Sequence, residues 1–282
     1  MTALLDAVGM TKRFDGILAL DEVPLSVDEG ERVGLIGPNG AGKSTLFDCL
    51  TGRLAPDSGR VTFRGSPLDG RSGTARARLG LARTFQRVEL FAGMTVTDHL
   101  LVALQARSGR ASLWRDLLGR GRPTPEERSR ASEIVSLLGL TAEADRPVES
   151  LTLGHARLVE LGRALACEPA LLFLDEPSSG LDRSEADAMA TVLERVCAES
   201  GMAILLIEHD VPLVRRLVTR LYVLDAGRLV AEGPTEEVLA TPAVRTAYLG
   251  TDVLDAVTDA GHAETGDGAV GADDAGVTEV PS

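Results

Sequence analysis

The stretch Arg32–Thr45, RVGLIGPNGAGKST, joins a five-residue, mostly apolar run that favours a β-strand to a glycine-rich loop. The loop satisfies the pattern G-x-x-x-x-G-K-[S/T], and the run LFDCL that follows it favours a helix. In this setting the glycines let the backbone wrap around phosphate groups, and the helix N-terminus adds a favourable dipole. The sequence therefore predicts a phosphate-binding loop. Its nine residues are Gly37, Pro38, Asn39, Gly40, Ala41, Gly42, Lys43, Ser44 and Thr45.

Two side chains of this loop are expected to carry charge and metal chemistry. Lys43 is one of only two lysines in the chain, which makes its place in the loop hard to attribute to composition. Its ammonium group is expected to reach the β- and γ-phosphates, and the Ser44 hydroxyl is expected to ligate Mg²⁺. A dinucleotide-binding fold is disfavoured because no G-x-G-x-x-G follows this strand. The prediction is a nucleotide site.

A second apolar run ends in two carboxylates. Leu171–Pro177, LLFLDEP, describes a buried strand that would deliver Asp175 to the side of the phosphate loop. There Asp175 is expected to hold Mg²⁺, and Glu176 is expected to polarise the attacking water as a general base. An acidic pair after a strand is by itself more typical of a helix N-cap. Together with the phosphate loop it predicts nucleotide hydrolysis.

Composition limits the class of protein. The chain has 282 residues, of which 44% are hydrophobic and 25% charged, enough apolar content for a core. Its longest apolar stretch, the six residues Met202–Ile207, is far shorter than a membrane-spanning helix requires. The N-terminus has Asp6 within its first apolar stretch and no cleavage-like site, so no secretory signal is expected. Three widely spaced cysteines (Cys49, Cys167 and Cys197) predict buried reduced thiols, and the protein is expected to be cytosolic.

The body of the chain alternates short apolar runs with helical patterns, which predicts an α/β fold with a largely parallel sheet. The predicted parallel strands are Arg32–Ile36, Ala170–Leu174, Met202–Ile207 and Arg220–Leu224. Gly59–Phe63, ahead of a turn, is predicted to be an antiparallel edge strand.

The middle of the chain is predicted to be a helical insertion at about residues 90–165. Val96–Ala106 and Glu126–Leu140 have apolar residues at helical spacing, and a segment rich in Gly, Arg and Pro interrupts them at 108–125. Residues 1–250 are expected to form one domain. Residues 251–282 contain eight acidic residues and no lysine or arginine, and they are expected to be a disordered acidic tail.

Arginines are concentrated at residues 71–87 and in the insertion. A nucleic-acid surface would also need aromatic or groove-reading elements, and only Trp114 is nearby. Most of these arginines are therefore expected to lie on a solvated face, with contact to the cytoplasmic leaflet as the functional alternative. No nucleic-acid partner is expected.

Four further motifs lie in a fixed order. Gln86 ends RTFQ, 43 residues after Lys43; LTLGH spans Leu151–His155; SGLD spans Ser179–Asp182; and His209 follows the run MAILLI and Glu208. Each motif alone has an ordinary structural explanation. Together with the phosphate loop and the acidic pair, they resemble the nucleotide-binding subunit of ABC transporters over residues 3–250. That family has a P-loop NTPase (RecA-like) core, an antiparallel β subdomain and an all-helical insertion subdomain.

The resemblance implies a role for each matched residue. Phe14 matches the aromatic residue that stacks on adenine. Gln86 matches the residue that touches Mg²⁺ or water and senses the γ-phosphate, and His209 matches the switch histidine that contacts the γ-phosphate. The implied ligands are ATP and Mg²⁺.

The segment Leu151–His155 matches the signature loop, which caps the γ-phosphate bound to the opposite subunit. It departs from the usual L-S-G-G-Q in having Thr152, Leu153 and His155 at the second, third and fifth positions. Thr152 keeps the hydroxyl and Gly154 keeps the close backbone approach. Asp182 matches the loop that couples two sites across a dimer.

A narrower resemblance points to the ATPase subunits of branched-chain amino acid importers. It rests on Arg87–His99 and Val244–Gly250, and urea, short-amide and lipopolysaccharide transporters share much of this framework. The resemblance implies a peripheral protein on the cytoplasmic face of the membrane. Its partners would be transmembrane permease subunits, a second identical or paralogous ATPase subunit and, indirectly, a substrate-binding protein.

The competing hypothesis is a soluble ABC ATPase that is not coupled to transport. Ribosome-acting members usually carry two cassettes in one chain, whereas this chain has one Gly-Lys-Ser. DNA-repair members would have a long coiled-coil insertion, and the segment between Gln86 and Gly154 is too short for one. A nucleoside-phosphate kinase would lack Gly154 and His209 in this arrangement.

Overall fold

Two sheets organise the residues that the computed structural model describes, which are 3–84, 89–108 and 122–245. The strands are β1 (Leu5–Phe14), β2 (Ile17–Val27), β3 (Arg32–Ile36), β4 (Ser58–Phe63), β5 (Ser66–Pro67), β6 (Leu81–Arg83), β7 (Leu171–Asp175), β8 (Ala203–Ile207), β9 (Arg220–Asp225) and β10 (Arg228–Pro234). The helices are α1 (Lys43–Thr51), α2 (Gly73–Ala77), α3 (Val96–Arg107), α4 (Pro125–Leu137), α5 (Leu153–Leu165), α6 (Arg183–Ser200), α7 (Val211–Leu217), α8 (Thr235–Ala240) and α9 (Pro242–Val244). Short 3₁₀ turns lie at Thr141–Glu143 and Val148–Ser150.

The larger sheet has six strands in the order β10-β9-β3-β8-β7-β6. All neighbouring pairs from β9 to β6 are parallel, and β10 joins the edge antiparallel to β9. Every residue of β7 and β8 is buried, as expected where helices cover both faces of a parallel sheet. The structure confirms the predicted α/β class and the four predicted parallel strands, with bounds that differ by at most one residue.

A smaller antiparallel sheet has the order β2-β1-β4-β5. Its long strands β1 and β2 were not among the strands predicted from apolar runs, because polar residues interrupt them throughout. The strand predicted at Gly59–Phe63 is antiparallel, but its assignment as an edge strand is wrong. The two-residue strand β5 pairs with it on its outer side, at Thr62 and Phe63.

The helices α3, α4 and α5 pack together through the buried side chains of Leu100, Ile134 and Leu161. Two threonines begin the first two of these helices: Thr95 accepts from the backbone N–H of Asp98, and Thr124 accepts from that of Glu127. The predicted helix at residues 126–140 is three residues too long, since α4 ends at Leu137.

The cysteines are free thiols, as predicted, but the expectation that they are buried holds only for Cys49, since Cys167 and Cys197 are partly exposed. Within the described parts of the chain, none of the helices combines the length and the apolar character that crossing a bilayer requires. Gln86, most of the arginine-rich insertion and the acidic segment 251–282 lie outside the described residues.

Candidate nucleotide-binding site

Three loops meet at the carboxyl edge of the larger sheet. The phosphate loop follows β3, the acidic pair Asp175 and Glu176 ends β7, and His209 follows β8. These three strands are adjacent and parallel, so their carboxyl ends lie side by side. The topology therefore brings together residues that are more than 160 positions apart in the sequence.

The phosphate loop has a backbone that only glycine can adopt at two positions. Gly37 and Gly42 have φ angles of +152° and +101°. A Cβ at Gly37 would lie 2.1 Å from the carbonyl oxygen of Leu224, and one at Gly42 would lie 2.5 Å from that of Ala19. The loop is therefore clamped between β9 and the β1–β2 hairpin, which presents its backbone as a fixed cradle.

Lys43, the first residue of α1, lies inside this loop. Its side chain is buried, and its Nζ donates hydrogen bonds to the carbonyl oxygens of Gly37 (2.7 Å) and Pro38 (3.0 Å). Burial lowers the pKa of Lys43, while the charges of Glu176 and Asp175 act in the opposite direction. The loop thus holds a partly desolvated cation near two carboxylates.

Asp175 is tied to the phosphate-loop helix through an arginine. Its Oδ2 accepts a hydrogen bond from Nη2 of Arg83 (2.7 Å), and Nη1 of Arg83 donates to Asp48 Oδ1 (2.5 Å) and Thr51 Oγ1 (3.3 Å) in α1. Arg83 belongs to the segment whose arginines were mostly expected on a solvated face. That expectation is wrong for Arg83 and for Arg76, whose guanidinium groups are buried in protein contacts.

The donors at this edge fit a magnesium ion that arrives with a nucleotide. Asp175 supplies a buried carboxylate and Ser44 an exposed hydroxyl, both of them hard oxygen ligands. Across residues 3–84, 89–108 and 122–245, no group of three or more His, Cys, Asp or Glu side chains could hold a metal. Mg²⁺ commonly relies on one or two carboxylates together with substrate phosphates, so this sparse donor set suits it.

Glu176 and His209 face the same edge from neighbouring loops. Glu176 has a left-handed backbone, with φ of +46°, and its N–H donates to the carbonyl oxygen of Ile207 (2.9 Å). The imidazole of His209 is exposed. Between β8 and His209 lies Glu208, whose fully buried carboxylate contacts both loops and to which the sequence had assigned no role.

The residues of the signature segment form a separate cluster. Thr152 begins α5 by accepting from the N–H of His155 (3.3 Å), and Asp182 begins α6 by accepting from the N–H of Glu185 (2.8 Å). The N–H of Gly154 donates to Oε1 of Glu185 (3.3 Å), so Glu185 joins the two helix starts. The structure therefore groups Thr152, Gly154 and Asp182 with one another, on helices other than the one that carries Lys43.

Phe14 lies at the end of β1, next to the turn into β2. Its ring is 45% exposed, and Nζ of Lys12 lies 5.6 Å from the ring centroid. The hairpin is joined to the phosphate loop through Gly227, which accepts from the N–H of Asp21 and donates to the carbonyl of Ala41. An exposed aromatic face is thus held on the hairpin that borders the loop.

A cleft of about 470 Å³ lies between the β6 edge of the larger sheet and the helices α3 and α5. Most of its walls are apolar, and Phe91 and Val102 are exposed on them. Its lining includes Leu81, Arg83, Phe91, Val102, Ala164 and Phe173. Because Arg83 also binds Asp175, this cleft adjoins the carboxyl edge of the larger sheet, where the phosphate loop lies (the nucleotide edge).

A family profile and the sequences of curated relatives both match this chain. The family profile described as ABC transporter matches residues 20–179. The chain is 40% identical over 250 residues to the high-affinity branched-chain amino acid transport ATP-binding protein LivG of Salmonella typhimurium, covering 88% of this chain and 98% of that one. It is 37% identical to the corresponding protein BraF of Pseudomonas aeruginosa, with the same coverage.

Two solved structures have the same architecture. The ADP conformation of MJ1267, an ATP-binding cassette of an ABC transporter, superposes with a TM-score of 0.77 and 32% identity, over 89% of this chain and all of that one. A nucleotide-free ATP-binding cassette from an ABC transporter superposes with a TM-score of 0.75 and 31% identity. The match covers 88% of this chain and all of that one. The similarity therefore extends over nearly all of the described residues.

Proposed function

The chain belongs to the ABC transporter family of ATP-binding proteins, and from that premise we propose that it is the ATP-hydrolysing motor subunit of an importer for branched-chain or related amino acids. The amino-acid class is supported by relatives from Salmonella and Pseudomonas that are named as branched-chain amino acid transport ATP-binding proteins. The match covers 98% of the length of each relative. The observation that carries the ATPase assignment is the meeting of Lys43, Asp175, Glu176 and His209 at one edge of the sheet.

Binding of ATP would use the cradle that Gly37–Thr45 already forms. Lys43 would exchange the carbonyl oxygens of Gly37 and Pro38 for oxygens of the β- and γ-phosphates. Because the phosphate oxygens are charged, they would stabilise the buried ammonium group better than the carbonyl oxygens do. Backbone N–H groups of the loop and the N-terminus of α1 would bind the remaining phosphate oxygens. Phe14 would stack on the adenine ring from the neighbouring hairpin.

Hydrolysis would use residues at the carboxyl ends of β7 and β8 together with Ser44 and Gln86. Ser44, Gln86 and Asp175 would hold Mg²⁺, which neutralises charge on the phosphates when it is bound. Glu176 would take a proton from the attacking water, and His209 would contact the γ-phosphate. Arg83 would orient the carboxylate of Asp175 through the contact at Oδ2.

A complete site would need a second ATPase subunit, identical or paralogous. Thr152, Gly154 and Asp182 cluster on α5 and α6, away from the loop that contains Lys43. We assign them to the γ-phosphate bound by the partner, and Asp182 to the coupling of the two sites. ATP would then join two subunits, and hydrolysis would release them.

The apolar cleft beside β6 suits contact with a transmembrane permease subunit at the cytoplasmic face of the membrane. Phe91 and Val102 leave 55% and 42% of their surfaces exposed there, which is typical of an interaction surface. A helix of the permease seated in the cleft would lie against Arg83, and through it would act on Asp175.

Uptake measurements in the source cell test this proposal. Deletion of the gene should abolish the high-affinity uptake of labelled leucine, isoleucine and valine and leave urea uptake unchanged. Wild-type protein should restore uptake and Lys43→Ala should not, because the loop would lose the charge that binds the phosphates. Arg130→Ala, which changes an exposed arginine of α4, is the control and should restore uptake. Unchanged amino-acid uptake in the deletion strain would contradict the assignment of the substrate class.

A further inference from the structure

Glu208 is a buried carboxylate that the proposed mechanism does not use. It lies between β8 and α7, directly before His209, and its side chain has no exposed surface. A buried carboxylate is costly unless hydrogen bonds to the charged form replace water. Its burial at the nucleotide edge of the sheet therefore depends on the hydrogen bonds that it accepts.

Both oxygens of this carboxylate accept hydrogen bonds, and they do so from two different loops. Oε1 accepts from the N–H (3.0 Å) and the hydroxyl (2.5 Å) of Ser178, in the loop after β7. Oε2 accepts from the N–H groups of His209 (3.0 Å) and Asp210 (3.4 Å), in the loop after β8. Oε2 also lies 3.8 Å from Nδ1 of His209. The carboxylate thus bridges the loop that contains Glu176 and the loop that contains His209.

A second link joins the loop after β7 to the end of β8, one residue before Glu208. The N–H of Glu176 donates to the carbonyl oxygen of Ile207, the last residue of β8. Two cross-links at adjacent positions leave little freedom for one loop to move without the other. The first loop is also joined to α5, since Nη2 of Arg157 donates to the carbonyl oxygen of Ser179 (3.0 Å).

We propose that Glu208 is a positioning residue for His209. It anchors His209 to the loop that contains Glu176, so that the imidazole of His209 and the carboxylate of Glu176 both face the same γ-phosphate. This inference rests on the proposed function. The carboxylate is suited to the task because its two oxygens accept from both loops at once, whereas an amide can accept at only one end. Charge-assisted hydrogen bonds to backbone N–H groups are also the stronger kind.

Glu208→Gln tests the role with almost no change in volume. With its oxygen toward His209 and Asp210, the amide would leave the N–H of Ser178 facing another donor, and the two loops would separate. The purified full-length variant should bind a fluorescent ATP analogue within twofold of wild type, because the phosphate loop is untouched. Its kcat for ATP hydrolysis should fall at least tenfold. Glu31→Gln is the matched control, since Glu31 is partly buried and paired with Arg220 away from the nucleotide edge, and its kcat should stay within twofold.

A double-mutant cycle separates positioning of His209 from a general structural effect. His209→Ala should lower kcat strongly, and in that background Glu208→Gln should lower it by less than a further twofold. A full tenfold further loss would contradict the proposal. If Glu208→Gln does not fold, Ser178→Ala replaces it in the same cycle. That variant removes only the 2.5 Å hydroxyl contact and should lower kcat about threefold, an effect that His209→Ala should abolish.

The outcomes distinguish the two proposals. ATP hydrolysis by wild type that Lys43→Ala leaves unchanged would overturn the proposed function. Hydrolysis that depends on Lys43 and His209 but is unaffected by Glu208→Gln would overturn the positioning role alone.

Discussion

Arg83→Met is expected to destabilise the fold by removing the cation that bridges β7 and α1. The guanidinium lies 2.7 Å from Oδ2 of Asp175 and 2.5 Å from Oδ1 of Asp48. The side chains of Arg83 and Asp175 are only 12% and 7% exposed, so water screens this pair poorly. Methionine would keep most of the apolar stem, so the change is largely the loss of the guanidinium group, whose carbon lies 5.6 Å from the centroid of the Phe47 ring.

The expected loss in the free energy of unfolding depends on how deeply each carboxylate that loses its partner is buried. Removing one member of a buried ion pair costs about 3–5 kcal/mol, because the other charge stays buried and uncompensated. Asp175 is in that position, but the Lys43 cation remains near it and compensates part of its charge, so the lower end of this range applies. Asp48 is about one-third exposed, and water would replace its half of the bridge at a cost of about 1 kcal/mol or less. We therefore expect Arg83→Met to lower the free energy of unfolding by about 3 kcal/mol.

Urea unfolding of the full-length protein without nucleotide measures this loss as a lower midpoint at an unchanged slope. The control is Arg83→Met with Asp175→Asn, which removes the orphaned charge and should recover at least half of the loss. The reasoning is refuted if Arg83→Met costs less than about 1 kcal/mol, the range of an exposed pair. It is also refuted if Asp175→Asn gives no recovery.

Three further predictions follow from local features. Thr124→Ala should lower the free energy of unfolding by about 1 kcal/mol in urea melts, because it removes the N-cap of α4; an unchanged midpoint would contradict the cap. Burial raises the pKa of Cys49 to about 11, so at pH 8 it should react with a thiol reagent far more slowly than it does in urea, as mass spectrometry of labelled peptides would show. Deletion of 251–282 should shift the Tm by no more than about 2 °C, since the acidic segment lacks the apolar content needed to pack; a larger fall in calorimetry would mean that it packs on the body.

The parts of the fold that the sequence predicted are those whose signal is local. The strand, loop and helix around Lys43 are contiguous, so a single motif predicts all three together with their function. The parallel strands are short apolar runs, which sequence patterns identify well. The long strands β1 and β2 were missed because one face of their sheet is polar and irregular pairing breaks the alternation of their side chains.

The parts of the site that the sequence missed depend on contacts between distant residues. Arg83 meets its partners 35 and 92 positions away, and Ser178 lies 30 positions from Glu208. Nothing near Arg83 in the sequence distinguishes a buried bridge from a solvated arginine in an arginine-rich segment. Glu208 lies beside a histidine that the family resemblance already explained. A charged residue becomes informative only when the fold shows what surrounds it.

The proposal that ATP joins two subunits is tested most directly with Glu176→Gln. The substitution keeps the size of the side chain but removes the carboxylate that we propose as the general base, so ATP should bind and remain unhydrolysed. Light scattering with ATP and Mg²⁺ should then give twice the 29.7 kDa mass of the chain, or a dimer upon mixing with a paralogous subunit. Adding Gly154→Asp should abolish this dimer, because its Cβ would displace Glu185 and its carboxylate would face the partner's γ-phosphate. A Glu176→Gln protein that stays monomeric with either partner, or that hydrolyses ATP at the wild-type rate, would contradict the account.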